Sequence, residues 1–326
     1  MSQLLIYGAT GYTGSMVARQ AKMAGLDVTL AGRDATKLAA LAHELDVPYS
    51  TFALDTGSLA ESLAGLTVVL NCAGPFAQTA EPLMRACIQV GAHYLDITAE
   101  IHVYRLAEHL GVEAARAGVM LLPGVGWDVV PTDCLALQLS RRVAHPVSLR
   151  IALQVAGAMS RGSAISAGEI VGAGLMARVD GALVATPHAA SALFNFGDGD
   201  VMCAPLSFGD LVTAWHSTGI PNITMFVNVT GDAFPVGDPS MLPDGPSQEE
   251  RDGQRARAVA EVMGADGTVV RSVIETVNGY SYTPLAAVEA ARRVLDGDHR
   301  PGFQTPGKVF GSDFAESIAG TLVTEL

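Results

Sequence analysis

Residues 4–21 read LLIYGATGYTGSMVARQA. Four apolar residues of strand length run into Gly8, Gly11 and Gly14, and a segment with helical spacing of its apolar residues follows. This order needs a tight turn at the first glycine and a close approach of backbone to a pyrophosphate at the second. The third glycine lets a helix lie against the strand. The N–H groups at the start of that helix, helped by its dipole, favour an anion. Thr10, Tyr12 and Thr13 add hydroxyl groups beside the same turn.

Outward from this segment, strand-length apolar runs alternate with helix-period stretches to about residue 145. Strands are expected at 4–7, 28–31, 51–54, 68–71, 94–97 and 119–122. Helices are expected near 14–24, 35–45, 58–64, 79–90, 101–116 and 132–143. Such alternation implies right-handed crossovers and a parallel sheet covered on both faces. The expected class is α/β, a doubly wound parallel Rossmann sheet over 1–145 that binds a dinucleotide.

From 146 to 326 the texture changes to α+β with a mainly antiparallel sheet. SLRIALQV at 148–155 alternates as an antiparallel strand with one covered face should. A helix near 163–178 follows, with strands near 182–186, 211–216, 223–230 and 269–280. The stretch 231–253, rich in Pro, Gly and Asp, reads as a long loop. Thr283 and Pro284 are placed to open a helix that ends near 294, with Thr as cap and Pro in the first turn. The segment from about 284 is a candidate to rejoin the first domain.

Composition narrows the function classes. The chain has 326 residues, 16% of them charged, and a net charge of -13. An acidic balance argues against a nucleic-acid surface, which needs clustered Lys and Arg. Lysine occurs only at 22, 37 and 308. Cys72, Cys87, Cys134 and Cys203 show no CxxC pair and read as small buried apolar residues. No run approaches the ~20 apolar residues of a membrane helix, and no basic leader precedes the first strand. The expected location is cytoplasmic, with no metal site.

The end of the second strand reads LAGRDATKL. An enzyme using NAD commonly places a carboxylate there for the ribose 2′-hydroxyl. Arg33 instead offers a guanidinium able to pair with a 2′-phosphate, and Lys37 adds charge one helical turn later. The expected cofactor is therefore NADP(H). Asp34 either contacts a ribose or caps the next helix. Asp55 is positioned to accept from the adenine amino group or to cap a helix. Cys72, Ala73, Gly74 and Pro75 follow the fourth strand, where small residues let backbone run close to the nicotinamide ribose.

GATGYTG, AGR, NCAGPF (71–76), GAHYLDITAE (91–100) and PGVGWDVVPTD (123–133) resemble the saccharopine dehydrogenase-like reductases. GDLVTAWHSTGIPN (209–222) and GFQTPGKVFG (302–311) extend the likeness over nearly the whole chain. The resemblance implies a Rossmann domain, an inserted α+β domain that often forms a homodimer, and NADP-dependent reduction of the saccharopine or trans-acting enoyl type. One departure is Ala99, where the family's phrase has Gly.

Ligands of an open α/β sheet bind beyond the carboxyl ends of the strands, which selects 72–76, 96–100 and 123–128. Asp96 and Glu100 are a candidate carboxylate pair or turn and helix caps. Trp127, beside Gly124 and Gly126, packs on something flat or anchors a junction, and Asp133 favours the next helix's dipole. His216, in a strand-like AWHST, and Tyr280 are candidate proton donors. Tyr280 and Tyr282 are expected to alternate on a strand. Arg161 in MSRGS is a candidate grip for a carboxylate or a phosphate. No tyrosine is followed four residues later by lysine, so the short-chain reductase dyad is absent. Three readings stay open. One is a reductase of a C=C or C=O bond in a small or acyl substrate, the acyl option favoured by the apolar EIVGAGLMARV (169–179). The others are an imine or amino-acid reductase and a nonenzymatic NADP(H) sensor.

Overall fold

The computed structural model describes residues 3–55, 57–230 and 242–326. In chain order the elements begin β1 (Leu4–Tyr7), α1 (Tyr12–Met23), β2 (Val28–Gly32), α2 (Ala35–Leu45), β3 (Tyr49–Thr51), α3 (Leu59–Leu63), β4 (Val68–Asn71) and α4 (Phe76–Val90). Next come β5 (His93–Asp96), α5 (Ile101–Arg116), β6 (Met120–Leu122), α6 (Val130–Ser140), β7 (Pro146–Ala156), α7 (Arg161–Gly172), β8 (Met176–Val179) and β9 (Ala182–Ala185). Then follow β10 (Ala192–Asn195), β11 (Asp200–Pro205), α8 (Asp210–Thr218), β12 (Asn222–Thr230), α9 (Gln248–Asp252), β13 (Arg255–Gly264) and β14 (Val269–Val277). The last are α10 (Gly279–Leu295), β15 (Gly302–Phe303), α11 (Pro306–Phe310) and β16 (Leu322–Glu325).

Two compact units share the chain. The first takes Met1–Thr98, His102–Gly126 and Thr283–Gln304; the second takes Ala99–Ile101, Trp127–Tyr282 and Thr305–Leu326. The chain crosses after Thr98, Ile101, Gly126, Tyr282 and Gln304, and the long passage at Gly126 comes ahead of the 145 expected from sequence.

The first unit is the expected doubly wound sheet, in strand order β15, β6, β5, β4, β1, β2, β3, with every pair parallel. Side chains alternate along each strand. Leu5, Tyr7, Val69, Tyr94 and Leu121 join one buried cluster with Leu63, Leu83, Met84, Val103 and Ala107 from α3, α4 and α5. Strands buried on both faces explain why LLIY and VVL are unbroken apolar runs. Fully buried Asn71, Tyr94 and Asp96 are the exceptions.

The second unit is built on a mixed sheet in order β10, β11, β12, β7, β13, β14, β16, with β8 and β9 added beside β12. Among the described residues only β12 with β7 is parallel in this sheet. The 148–155 strand is therefore parallel to one neighbour and antiparallel to the other. Leu149, Ile151 and Leu153 are fully buried. Helix α6 contacts β7, β13 and β14, and its buried residues run almost unbroken from Val130 to Leu139, so its sequence has no polar stripe to read. On the opposite side of β7, Arg150 joins Glu261 at 2.7 Å and Arg271 reaches the same Glu261 at 2.7 Å. Arg257 and Arg255 likewise share Glu275.

Several expected elements are corrected. Residues 211–216 are not a strand but belong to α8, which is bounded by Gly209 and by Gly219 at φ 71°. Asp210 in its first turn suits the helix dipole. Tyr280 and Tyr282 lie in the first turn of α10, not on a strand, because the Asn278 side chain accepts from Tyr280 N. Pro284 therefore falls inside that helix rather than opening it. The helix expected over 163–178 stops at Gly172, and β8 begins at Met176. Of the long loop at 231–253, residues 231–241 lie outside the described residues, and 248–252 form a helix with Ser247 and Glu250 as its capping box. Among the described residues no helix is long and apolar enough to cross a membrane.

Candidate dinucleotide site

The glycine turn has the geometry that each position requires. Gly8 sits at φ 80°, a region open to glycine at no steric cost, and a Cβ there would lie 2.7 Å from Ala73. At Gly14 a Cβ would overlap the carbonyl oxygen of Gly8. Gly11 differs. Its φ of -72° suits any residue, and a Cβ would meet only the Gly8 oxygen at 3.4 Å. Nothing inside the unit explains the bareness of Gly11, which sits at the start of α1 and gives it no side-chain cap. An open cradle at a helix start fits a pyrophosphate, so the residues present suit a dinucleotide. Thr10, Tyr12 and Thr13 are all partly exposed around this turn.

Arg33 and Lys37 are exposed just beyond β2, and among the described residues neither makes an ion pair. Asp34 is the cap of α2, accepting from Lys37 N at 3.0 Å. Its carboxylate is thus engaged with the helix start. Asp55 is exposed, and the cap position of α3 belongs to Ser58. Tyr7, under the turn, packs against Phe52 with ring centroids 5.3 Å apart. Burial pushes its hydroxyl pKa up, against the opposing pull of the Arg33 charge.

The segment 72–75 is shaped from below by side chains of which sequence reading singled out only Asp96. Asn71 Oδ1 accepts from Ala73 N at 3.0 Å, while its Nδ2 donates to Thr79 Oγ1 at 3.0 Å and to Tyr94 Oη at 3.2 Å. Thr79 Oγ1 donates to Ala73 O at 2.6 Å. Tyr94 Oη donates to Asp96 Oδ2 at 2.8 Å, and Asp96 Oδ1 accepts from Thr98 N at 3.1 Å and Gly124 N at 2.9 Å. Gly124 stands at φ 76° against the Tyr104 ring, and the Tyr104 hydroxyl donates to Thr98 O. One signal was available: Tyr94 and Asp96 are two apart on a strand and share a face. Cys72 is buried, and desolvation, with the Asp96 charge second, pushes its thiol pKa up. All four cysteines are free and buried.

The remaining candidates belong to the second unit. Trp127 is 5% exposed; its Nε1 donates to Thr276 Oγ1 at 2.9 Å and its ring lies against Gly279. Asp128 follows it, and burial pushes the carboxyl pKa up to about 6. Glu100, almost fully buried, accepts from Ser166 Oγ at 2.8 Å. The Tyr280 hydroxyl oxygen accepts from Ser160 N at 2.8 Å. Arg161 is turned to Leu242 O at 2.7 Å and to Asp244 at 3.3 Å. His216 is half-buried on α8, where its charge opposes the rise that burial gives Asp133. Asp133 also accepts from Ser217 Oγ at 2.6 Å and Gly307 N at 2.7 Å, which ties α6, α8 and α11 together.

Comparison with known proteins agrees with this geometry. Residues 4–122 match the family described as the saccharopine dehydrogenase NADP binding domain. A trans-acting enoyl reductase from Mycobacterium leprae is 32% identical over 149 residues, which cover 43% of this chain and 36% of the relative. A human saccharopine dehydrogenase-like oxidoreductase is 31% identical over 153 residues, 40% of this chain and 35% of the relative. The matched part thus spans about a third of these relatives' length. Apo saccharopine dehydrogenase (L-Glu forming) from Saccharomyces cerevisiae shares the fold over 100% of this chain and 99% of its own, with a TM-score of 0.68 at 15% identity.

Proposed function

We propose that the protein is an NADP(H)-dependent oxidoreductase that reduces an unsaturated or carbonyl carbon of a small or acyl substrate. One observation carries the reading: an open glycine cradle with a bare Gly11, flanked by an exposed Arg33 that makes no ion pair among the described residues. In this reading the turn at 8–14 holds the pyrophosphate. Arg33, with Lys37 behind it, grips the 2′-phosphate, which a carboxylate at that place would repel. Asp55 faces the adenine edge, and backbone at 72–75 lies beside the nicotinamide ribose. The bound cofactor supplies a hydride to the substrate carbon.

A proton must balance that hydride. Tyr280 is proposed as its donor, its oxygen held by the Ser160 N–H, with His216 as the competing donor. Trp127 is proposed to hold the loop that ends at Asp128. The name of the mycobacterial relative favours an enoyl substrate, and a homodimer in the cytoplasm completes the proposal.

A side-by-side titration of the purified protein with NADPH and NADH tests the reading. NADPH is expected to bind at least ~10-fold more tightly. Equal affinity would remove Arg33 from the site, and binding of neither would remove the enzyme reading. Tyr280→Phe and His216→Ala then separate the two donors: the true one lowers turnover and leaves NADPH affinity alone.

A further inference from the structure

Asn71 and Asp96 stand opposite each other in the register of β4 and β5, and the hydrogen bonds between them have a fixed direction. Asp96 accepts from two backbone N–H groups, Thr98 and Gly124, on one oxygen and from Tyr94 on the other. A phenol has one proton. Because Tyr94 gives its proton to Asp96, its oxygen must accept from Asn71. The Asn71 amide nitrogen is thereby turned to Tyr94 and Thr79, and its oxygen to Ala73 N. The direction set at Asp96 fixes which end of the Asn71 amide meets the 72–75 turn.

Resting on the NADP(H) reading above, we propose that Asp96 is a positioning residue for the nicotinamide end of the cofactor, acting through Tyr94 and Asn71 on the backbone at 72–75. An asparagine at 96 shows why direction matters. Its single oxygen is claimed by Thr98 N and Gly124 N, so its NH2 group must face Tyr94. The Tyr94 oxygen then faces two NH2 groups, and its own proton keeps an acceptor in this network only if the Asn71 amide turns over and presents NH2 to the Ala73 N–H. Two donors face each other, and the turn is lost although the size of residue 96 hardly changes.

The test compares NADPH with 2′,5′-ADP, a probe that reaches Arg33 and the glycine turn but has no nicotinamide half. Binding is measured for the wild type, Asp96→Asn, Tyr94→Phe and the double variant. Asp96→Asn is expected to weaken NADPH about 10-fold and leave 2′,5′-ADP unchanged. In the Tyr94→Phe background the Asp96→Asn change is expected to add nothing, because the link is already cut. Loss of both ligands alike, no loss of either, or the same loss in both backgrounds would overturn the wiring. A wild type that binds neither probe would overturn the cofactor reading beneath it. Should Asp96→Asn fail to fold, Thr79→Val removes the other support of Ala73, and the same NADPH-selective loss is expected; an equal or absent loss overturns the proposal.

Discussion

The parallel sheet and the mixed sheet use their polar residues differently. At the strand ends of the first, the features that matter are backbone shapes: a turn at Gly8, a contact at Gly14, an open helix start at Gly11. Arg33 stands exposed outside any ion pair among the described residues. On the second sheet, Arg150, Glu261 and Arg271 pair across three strands in register, and Arg257 pairs with Glu275. There the charges answer one another and hold the sheet. The glycine turn leaves the cation beside it outside any ion pair among the described residues, whereas the ladder on the mixed sheet pairs its own.

The sharpest way to break this contrast is Gly14→Ala. The new methyl would overlap a backbone oxygen that cannot swing aside, so NADPH affinity is expected to fall on the order of 1000-fold, about 4 kcal/mol. Retained affinity would show that the turn relaxes and that its shape is not the site.

A second effect separates the units by pH. Burial, with the neighbouring His299 charge second, holds His93 down to about 4, and its Nδ1 accepts from Met120 N. A folded-state pKa below the unfolded ~6.5 means this contribution is whole above pH 6.5 and lost as pH falls through 4. The loss is at most about 3.4 kcal/mol. Asp128 has the opposite sign. With a pKa raised to about 6 by burial, its contribution is whole below the unfolded ~3.9 and lost as pH rises through 6. Part of its side chain reaches solvent, which keeps the effect below about 3 kcal/mol. Hydrogen exchange read by peptide between pH 4 and 6.5 should show the first unit loosening on acidification while the second tightens. His93→Asn, which retains an acceptor for Met120 N, should flatten only the first trend. Parallel trends in both units would refute the assignment.

Smaller effects sharpen the comparison. Arg33→Ala is expected to weaken NADPH about 10-fold, ~1.4 kcal/mol, and barely affect NADH; equal losses would deny it the 2′-phosphate. Arg271→Ala removes one half-exposed partner from Glu261 and leaves Arg150 in place. It should cost under ~0.5 kcal/mol in urea unfolding, and a cost above 2 would mean that the ladder is a single cooperative network.

The same contrast governs what could be read from the chain. Backbone constraints appear as glycine at fixed spacing, so the turn at 8–14 and the parallel sheet were legible, as was the change of texture near 146. Alternation misled at 211–216, where a nine-residue helix between Gly209 and Gly219 imitates a short strand. It misled again at Tyr280, because Asn278 as a helix cap resembles any loop asparagine. The support under 72–75 was hidden for another reason. Asn71, Tyr94, Asp96 and Gly124 come from three strand ends, up to 53 residues apart, and only the register of the sheet brings them together.

Strand β15 has a consequence for synthesis. Gly302 N bonds to Val119 O at 2.8 Å and Gln304 N to Leu121 O at 2.9 Å, closing the edge of a sheet whose other strands end by residue 122. On a ribosome those bonding groups of β6 would wait through about 180 further residues, roughly 10–40 s at ordinary elongation rates. The whole mixed sheet except β16 is synthesised in that interval. The first unit to emerge is thus completed late, and until then it presents an open strand edge to whatever is nearby.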